Sequence, residues 1–329
     1  MRLKYYKYRL PFVQPLETSK KTFRYRRGII LICKSNNETF YGEAAPLPGY
    51  STETLSEVQK SLEKLKEKLP SLLQNDAPIE SLQSLYEKDN IPASLQFCLD
   101  SLGYQIKARR SNRTLQQELF EQASEQIPVN ALGSLQSEQY LSQAKNFVSE
   151  GFETIKYKVG IDFELELAQL EKVRSHFPDL AIRIDANQCW SVEEALRNGQ
   201  KLSPLNIEYC EEPLSDPAPE NFELLSQHLD IPIALDESQY QVSYWPNLLP
   251  YTRYLILKPM LLGSFIKIFE TKRLADTHEN KVVFTTSLES GIGRTITAIL
   301  ASEEESKQMA HGLTTGQLLA NDIHDDFAY

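Results

Sequence analysis

The sequence is poor in cysteine and has no long apolar segment. Its four cysteines, at positions 33, 98, 189 and 210, are widely spaced and include no Cys-x-x-Cys pair. This spacing excludes a disulfide framework and is typical of reduced thiols in a cytosolic protein. The longest apolar runs, such as residues 29–33, are far shorter than a membrane span, and the first twelve residues are too charged for a signal peptide. We therefore expect a cytoplasmic protein.

Basic side chains are outnumbered by acidic ones. The chain carries 35 Lys and Arg against 45 Asp and Glu, a formal net charge of −10. This balance argues against nucleic acid or an anionic membrane as the main partner, because both require a basic surface. Residues 1–27 are the exception, with nine basic side chains against Glu17. This segment is either a solvated edge or a mobile basic flap that attracts an anionic small molecule.

The first hundred residues have the pattern of an α+β module. Residues 4–10 alternate, residues 27–33 form an apolar run, and residues 38–45 predict its hairpin partner across the turn Ser35-Asn36-Asn37. Ser51 predicts the N-cap of a helix whose apolar stripe repeats every three or four residues. The stripe consists of Leu55, Val58, Leu62, Leu65 and Leu69.

From Ile127 onward, short apolar segments recur every 23 to 30 residues and alternate with helix-patterned segments. This alternation predicts a parallel sheet, and about eight such strands predict a closed β/α barrel. Functional groups of these barrels lie at the C-terminal ends of the strands. The strand segments read IPVNAL, TIKYKVG, AIRIDAN, NIEYCEEP, IPIALDES, YLILKPM, KVVFTTS and the weaker HGLTTG.

Five consecutive strand segments end in a charged residue: Lys158, Asp185, Glu211, Asp236 and Lys258. Any one acid could be the N-cap of the next helix, and any one lysine could be snorkelling. Five together indicate a shared pocket, because an unpaired buried charge costs several kcal/mol. The three carboxylates come from neighbouring strands and suit Mg²⁺, completed by water and substrate, with no cysteine ligand nearby.

Strand alternation adds two inward-pointing residues to the pocket, Lys156 and Arg183. Repulsion between Lys156 and Lys158 predicts a lowered pKa for each amine, which would favour a neutral base. By strand order, Lys258 should face Lys158 across the metal, so that two amines could abstract and return a proton. The five histidines lie off the strand ends, apart from His311 at the start of the last strand, so neither a histidine base nor a zinc site is expected.

These motifs together resemble the enolase superfamily, within its muconate-cycloisomerase-like group. The resemblance rests on a K-x-K strand followed by D-A-N, E-E-P, D-E-S and L-K-P. It implies an α/β fold in which residues 101–314 form a modified TIM-type (β/α)7β barrel and residues 1–100 form an N-terminal α+β capping domain. Residues 315–329 are expected to pack back on this cap. The resemblance also implies a lysine base and Mg²⁺, with Mn²⁺ as a substitute.

More specific segments resemble the o-succinylbenzoate synthase family of menaquinone biosynthesis. These segments are residues 41–51, 127–132, 255–264, 285–294 and 311–323. The resemblance implies an anionic small-molecule substrate and the syn dehydration of 2-succinyl-6-hydroxy-2,4-cyclohexadiene-1-carboxylate to 2-succinylbenzoate. Residues 42–51 and the basic segment near residues 15–25 match two cap loops that close over the barrel mouth.

The resemblance also implies a role for each site residue. Asp185, Glu211 and Asp236 match the Mg²⁺ ligands. Lys158 matches the base that removes the proton α to the ring carboxylate, and Lys258 matches the opposite lysine, which stabilises the enediolate electrostatically. The positions that match substrate contacts are Arg183, Ser287 and Gly312.

Other functions stay open at this point. The same two lysines could serve an N-succinylamino acid racemase or a dipeptide epimerase. Epimerases that resemble this group carry Asp-x-Asp after the last strand to hold an α-ammonium, and residues 312–316 contain no acid, which disfavours an amino-terminal substrate. A catalytically silent barrel that acts as a binding module is disfavoured because all five charged residues are present.

Overall fold

An antiparallel sheet opens the chain in the computed structural model, which describes residues 1–17, 21–35 and 37–323. Strands β1 (Arg2–Glu17), β2 (Thr22–Ser35) and β3 (Glu38–Ala44) pair in sequence order. The predicted hairpin joins β2 to β3, with Ser35 opposite Glu38, while Asn36 of its turn lies outside the described residues. Asn37 has the left-handed φ of 64° that such a tight turn requires.

Five helices follow this sheet: α1 (Leu55–Leu65), α2 (Leu69–Gln74), α3 (Pro78–Lys88), α4 (Ala93–Arg110) and α5 (Leu115–Leu119). The prediction that Ser51 caps the first helix is wrong. Thr54 is the N-cap, because its hydroxyl accepts from the Glu57 amide while the Glu57 carboxylate accepts from the Thr54 amide. Ser51 instead accepts from the Leu47 amide within the preceding turn. The predicted stripe is also split, since Leu69 begins α2.

Helix α4 runs without a break through residue 100, where the sequence predicts a domain boundary. Residues on both sides of that point, such as Leu95 and Ile106, share one apolar core with the first sheet and with α1 to α3. A boundary inside a continuous helix would divide this core. We therefore propose that the capping domain extends to the end of α4 at Arg110.

The barrel strands follow in sequence order around a parallel sheet. They are β4 (Ala131–Gly133), β5 (Thr154–Lys158), β6 (Ala181–Asp185), β7 (Ile207–Glu211), β8 (Ile233–Leu235), β9 (Tyr254–Leu257) and β10 (Lys281–Phe284). The helices of this part are α6 (Tyr140–Ser149), α7 (Phe163–His176), α8 (Val192–Leu202), α9 (Pro219–His228), α10 (Glu237–Gln241), α11 (Pro259–Leu262), α12 (Phe265–Thr277) and α13 (Gly291–Ala301). Short 3₁₀ turns lie at Ser203–Leu205, Trp245–Tyr251, Glu304–Gln308 and Thr314–Leu318.

The weak last strand closes the barrel through single bridges. His311 pairs in parallel with Val129, next to β4, and Gly312 pairs in parallel with Thr285, next to β10. A side chain is excluded at Gly312, because a Cβ there would lie 2.3 Å from the Thr285 hydroxyl. The predicted modified barrel with an N-terminal α+β domain is thus confirmed.

The alternation of each strand decides which side chains enter the barrel. On β5, Ile155 and Tyr157 are fully buried in the apolar core that also contains Leu170 of α7. Lys156, between them, therefore points the other way, into the barrel. This alternation places charged side chains inside the barrel and apolar side chains outside it, between the strands and the helices.

Residues 315–323 return to the first sheet. Leu319 forms an antiparallel bridge with Phe12 of β1, and the Ala320 amide donates to the Pro11 carbonyl at 2.9 Å. Residues 324–329 of the segment expected to pack on the cap lie outside the described residues. None of the described helices combines the length and apolarity needed to cross a bilayer.

Candidate active site

Three carboxylates lie together at the carboxyl ends of three adjacent barrel strands. Asp185 and Glu211 are the last residues of β6 and β7 and stand directly opposite each other in the strand register. Asp236 follows β8 immediately, and all three side chains are buried. The structure therefore brings the three predicted metal ligands to one end of the barrel, which we call the mouth.

Two lysines are bound to these carboxylates. The Lys156 ammonium lies 2.9 Å from Asp185 Oδ2 and 2.6 Å from each carboxylate oxygen of Glu211. The Lys258 ammonium forms an ion pair with Asp236. Two lysine ammonium groups thus contact all three carboxylates.

Lys158 differs from the other two lysines. It is the last residue of β5, opposite Asp185 in the register, and its side chain is exposed at the mouth. Within the described ranges its ammonium forms neither an ion pair nor a hydrogen bond, although it lies close enough to Asp185 to lower the pKa of that carboxyl. Lys158 is therefore the lysine that is available to an incoming molecule.

The predicted lowering of the Lys156 pKa is wrong. Burial alone would lower the pKa of this ammonium, but the carboxylates of Asp185 and Glu211 outweigh burial and raise it well above its usual value. The pKa of Lys258 is likewise raised, because Asp236 and Glu237 outweigh the effect of burial. Carboxylates, rather than a neighbouring lysine, set the charge of these two groups, and both stay protonated.

The two paired carboxylates respond in opposite ways. Burial would raise the pKa of Asp185, but Lys156 and Lys158 outweigh it and lower that pKa. The pKa of Glu211 is raised well above its usual value, first by burial and then by repulsion from Asp185. The arrangement therefore favours the ionised form of Asp185 and disfavours the ionised form of Glu211.

Three carboxylates gathered at adjacent strand ends fit a divalent cation. Asp236 Oδ1 is buried and has no hydrogen-bond partner among the described residues, and the oxygens of Asp185 and Glu211 already face a positive group in Lys156. Although the three carboxylates are neighbours, no three Asp, Glu, His or Cys side chains within the described ranges point at one position from which they could hold a metal ion. In this arrangement Lys156 and Lys258 are bound to carboxylate oxygens. All three donors are carboxylates, and hard oxygen donors of this kind suit Mg²⁺.

Two further acids, for which no role was predicted, support the mouth. The Glu212 carboxylate accepts from the amides of Asp236 at 2.7 Å and Ser238 at 3.0 Å, and burial raises its pKa to about 7. Glu237 accepts from the Asn187 side chain at 3.2 Å, and burial together with Asp236 raises its pKa to about 8. The signal in the sequence was the doubled acid in E-E-P and D-E-S, of which only the first member was assigned.

Two of the three predicted substrate contacts are close to the mouth. Ser287 follows β10 by three residues, and its hydroxyl is buried without a hydrogen-bond partner among the described residues. Such an orphan hydroxyl can accept a polar ligand group without breaking an existing bond. Gly312 belongs to the closing strand, where its amide donates to the Phe284 carbonyl and its carbonyl accepts from the Thr285 hydroxyl. Gly312 therefore offers space rather than a free backbone donor.

Arg183 lies elsewhere, deep in the barrel. It is fully buried, with Nε 2.6 Å from the Glu208 carboxylate and Nη1 2.6 Å from the Ala310 carbonyl. Nη1 also reaches Asn130 Oδ1 at 3.3 Å. These partners lie toward the amino ends of the strands, so the structure does not bring Arg183 to the mouth, where the predicted substrate contact would be made.

The loop after β3 covers one side of the mouth. The Ala45 amide donates to Met260 Sδ at 3.4 Å, and the Tyr50 ring centroid lies 5.9 Å from the Lys258 ammonium. The second predicted cap loop, near residues 15–25, includes residues 18–20, which lie outside the described residues. One of the two predicted cap loops thus contacts the mouth directly.

Comparison with known proteins supports a family assignment for both parts of the chain. Residues 139–326 match the family model described as enolase C-terminal domain-like. Residues 1–84 match the model of the MenC N-terminal domain. The o-succinylbenzoate synthase of Haemophilus influenzae is 28% identical over 324 residues, which cover 95% of this chain and 89% of that protein.

Solved structures agree in fold over nearly the whole chain. The L-Ala-D/L-Glu epimerase from Bacillus subtilis superposes with a TM-score of 0.83 at 21% identity, covering 98% of this chain and 92% of that one. The o-succinylbenzoate synthase from Thermosynechococcus elongatus, complexed with Mg in the active site, gives a TM-score of 0.73 at 26% identity, covering 95% and 92%. One fold therefore accommodates more than one activity.

Proposed function

The chain belongs to the enolase superfamily, and we propose that within it the chain is an o-succinylbenzoate synthase. The proposed reaction is the syn dehydration of 2-succinyl-6-hydroxy-2,4-cyclohexadiene-1-carboxylate to 2-succinylbenzoate. Its proposed setting is menaquinone biosynthesis in the cytoplasm. The observation that carries this choice is the match of residues 1–84 to the MenC N-terminal domain, since the barrel alone is compatible with several activities.

The proposed chemistry requires charge to be neutralised as it develops. A proton α to a carboxylate is very weakly acidic, so its removal must be accompanied by stabilisation of the second negative charge. Asp185, Glu211 and Asp236 would hold Mg²⁺, or Mn²⁺ as a substitute, and the bound cation would stabilise that charge. The Lys258 ammonium, held by Asp236, adds a fixed positive charge at the same mouth.

Lys158 is proposed as the base. It is the mouth lysine without an ion pair in the described structure, whereas Lys156 and Lys258 are committed to carboxylates that keep them protonated. The Lys158 amine would take the proton α to the ring carboxylate. The Lys158 ammonium formed in this way would return a proton to the departing hydroxyl on the same face, so that the C–H and C–O bonds break, the ring becomes aromatic and water leaves.

The direct test supplies the cyclohexadiene substrate to the purified protein with Mg²⁺ and follows 2-succinylbenzoate. We expect conversion, its loss after EDTA treatment, and its recovery on addition of Mg²⁺. A matched sample of the Lys158→Ala variant should stay inactive with Mg²⁺ present, which separates loss of the base from loss of the metal. Unchanged turnover of the EDTA-treated protein would contradict the proposed metal site.

Racemisation of an N-succinylamino acid is the second candidate, because a lysine at each side of the mouth could remove and return a proton. This reaction exchanges the α-proton with solvent, so incubation in D₂O followed by NMR detects it independently of dehydration. Exchange without any dehydration would overturn the first proposal in favour of the second.

A further inference from the structure

A single buried guanidinium joins the first sheet to the barrel mouth. Arg26, on β2, is only 2% exposed, and its Nη1 donates to the Pro46 carbonyl at 2.9 Å while Nη2 donates to the Ala45 carbonyl. Its Nε donates to the Leu288 carbonyl at 3.0 Å. One side chain of the cap therefore bonds the loop after β3 and the loop after β10 at the same time.

The loop after β3 is the covering loop of the mouth. Besides the contacts of Ala45 and Tyr50 with the barrel, its Leu47 shares a buried apolar cluster with Leu261, which lies in the turn after Lys258. The two bonds from Arg26 fix the start of this loop. The position of the covering loop over Lys258 therefore depends on Arg26.

The loop after β10 carries Ser287, whose buried hydroxyl has no partner among the described residues. The next residue, Leu288, has a positive φ of 63°, which is strained for a side chain of its size. Arg26 holds the Leu288 carbonyl, and the Glu289 carboxylate accepts from the Ser287 amide. Hydrogen bonds thus hold this strained turn on both sides of Ser287. They fix the orientation of its backbone and therefore the position of its hydroxyl.

Two buried acids, Glu43 and Glu289, lie beside Arg26. The Glu43 carboxylate accepts from the amides of Ser290 at 3.0 Å and Gly293 at 2.8 Å. Burial raises the pKa of both Glu43 and Glu289, and the nearby Arg26 charge opposes that rise. A guanidinium can serve three carbonyls at once because its donors form a fixed fork. A lysine could not replace all of these bonds.

We propose that Arg26 is a positioning residue through which the cap sets the substrate-binding geometry of the barrel, by fixing the covering loop and the Ser287 hydroxyl together. The identity of the substrate rests on the function proposed above, but the mechanical role of Arg26 does not. Arg26 touches no reacting atom in this arrangement, so its effect should fall on binding more than on chemistry.

The test compares Arg26→Met with Arg27→Met, which removes an exposed guanidinium from the next position of the same strand. For Arg26→Met we expect KM to rise about tenfold or more while kcat changes by less than about threefold, because the lost contacts act on binding. We also expect amide hydrogen exchange to accelerate about tenfold or more in residues 44–51 and 285–290, with α12 unchanged. Arg27→Met should show neither effect.

Hydrogen exchange decides the proposal even if dehydration is never observed, so its failure is distinct from failure of the proposed function. Unchanged exchange in both loops of Arg26→Met would overturn the proposal, as would a fall in kcat with KM unchanged. If Arg26→Met does not fold, Arg26→Lys carries the test, because it keeps the buried charge but loses the fork. Faster exchange in the two loops of the lysine variant would support the proposal, and wild-type exchange would overturn it.

Discussion

The mouth and the opposite end of the barrel both hold buried charge, but they differ in how that charge is satisfied. We call this opposite end, around Arg183 and His311 near the amino ends of the strands, the floor. At the floor, Arg183 bonds Glu208, Asn130 and the Ala310 carbonyl, and both ring nitrogens of the adjacent His311 have backbone partners. At the mouth, buried oxygens of three side chains have no partner among the described residues. They belong to Asp236, Glu237 and Ser287.

The difference separates stability from function. Buried polar groups in folded proteins are nearly always hydrogen-bonded, because leaving one unpaired costs about 1–3 kcal/mol. The floor follows this rule, and its hydrogen bonds contribute to stability. The mouth departs from this rule where three acids and an exposed lysine meet. Its unpartnered atoms are therefore the ones that can bind a cation or a substrate. Substitutions at the two ends should therefore affect different measurements.

The largest effect is expected at Lys158. Lys158→Ala should lower kcat by about 10²- to 10⁴-fold, the range typical of losing a general base. Its stability to urea should stay within about 0.5 kcal/mol of the wild type, because the side chain is exposed and unpaired in the described structure. Lys158→Arg keeps the charge but cannot act as a neutral base, so it should be as inactive as the alanine variant. Activity retained by the arginine variant would mean that the charge, and not proton transfer, is what Lys158 supplies.

The next effect is expected at the floor. Arg183→Met should reduce the free energy of unfolding by about 3 kcal/mol, because it breaks a partly buried ion pair with Glu208 and leaves the buried Asn130 and Ala310 oxygens without this donor. Urea titration measures this loss. KM should stay within about threefold of the wild type, since Arg183 lies away from the mouth. The opposite pattern, a large rise in KM with stability retained, would restore the substrate contact that the family resemblance implies for Arg183.

The sequence predicted the elements of the barrel well, for a physical reason. Strands buried on both faces are short and apolar, so a charged residue such as Asp185 at a strand end is conspicuous. The even spacing of such residues then places them at the same level of the sheet, as the pairing of Asp185 with Glu211 illustrates. Local pattern and tertiary position coincide in this part of the chain.

Features that depend on distant partners were missed or misjudged. The pKa of Lys156 is raised by Asp185 and by Glu211, which lies 55 positions away, and is not lowered by the nearby Lys158. Strand parity correctly turned Arg183 inward but could not tell which end of the barrel it serves. The bond from Arg26 to Leu288 spans 262 positions and has no local signature. Ser51 and Thr54 compete for one capping role, and only the turn geometry decides between them.

A smaller effect is expected at Ser287. Ser287→Ala should raise KM about tenfold, which corresponds to one lost hydrogen bond to substrate. Its stability should be unchanged or slightly improved, because the buried hydroxyl has no partner among the described residues. Steady-state kinetics and urea titration on the same preparation measure both quantities. Ser101→Ala is the control, since its buried hydroxyl is already bonded to the Phe97 carbonyl within α4, and its loss should affect stability instead of KM. A destabilised Ser287→Ala variant with normal KM would mean that Ser287 contributes to stability, like the residues of the floor, and does not contact the substrate.

The most gradual effect is expected from pH, and it belongs to the floor. Burial, followed by the nearby Arg183 charge, lowers the pKa of His311 to about 3, whereas an unfolded histidine titrates near about 6.5. Between these two values the unfolded state binds the proton and the folded state does not. The contribution of His311 to stability is therefore complete above about pH 6.5 and falls as pH decreases toward about 3, by at most about 1.4 kcal/mol per pH unit.

His311→Asn keeps an acceptor for the Phe284 amide without a titrating group, so its free energy of unfolding should depend less steeply on pH across this window. Equal slopes for the two proteins would contradict the expectation that folding buries His311 in its neutral form.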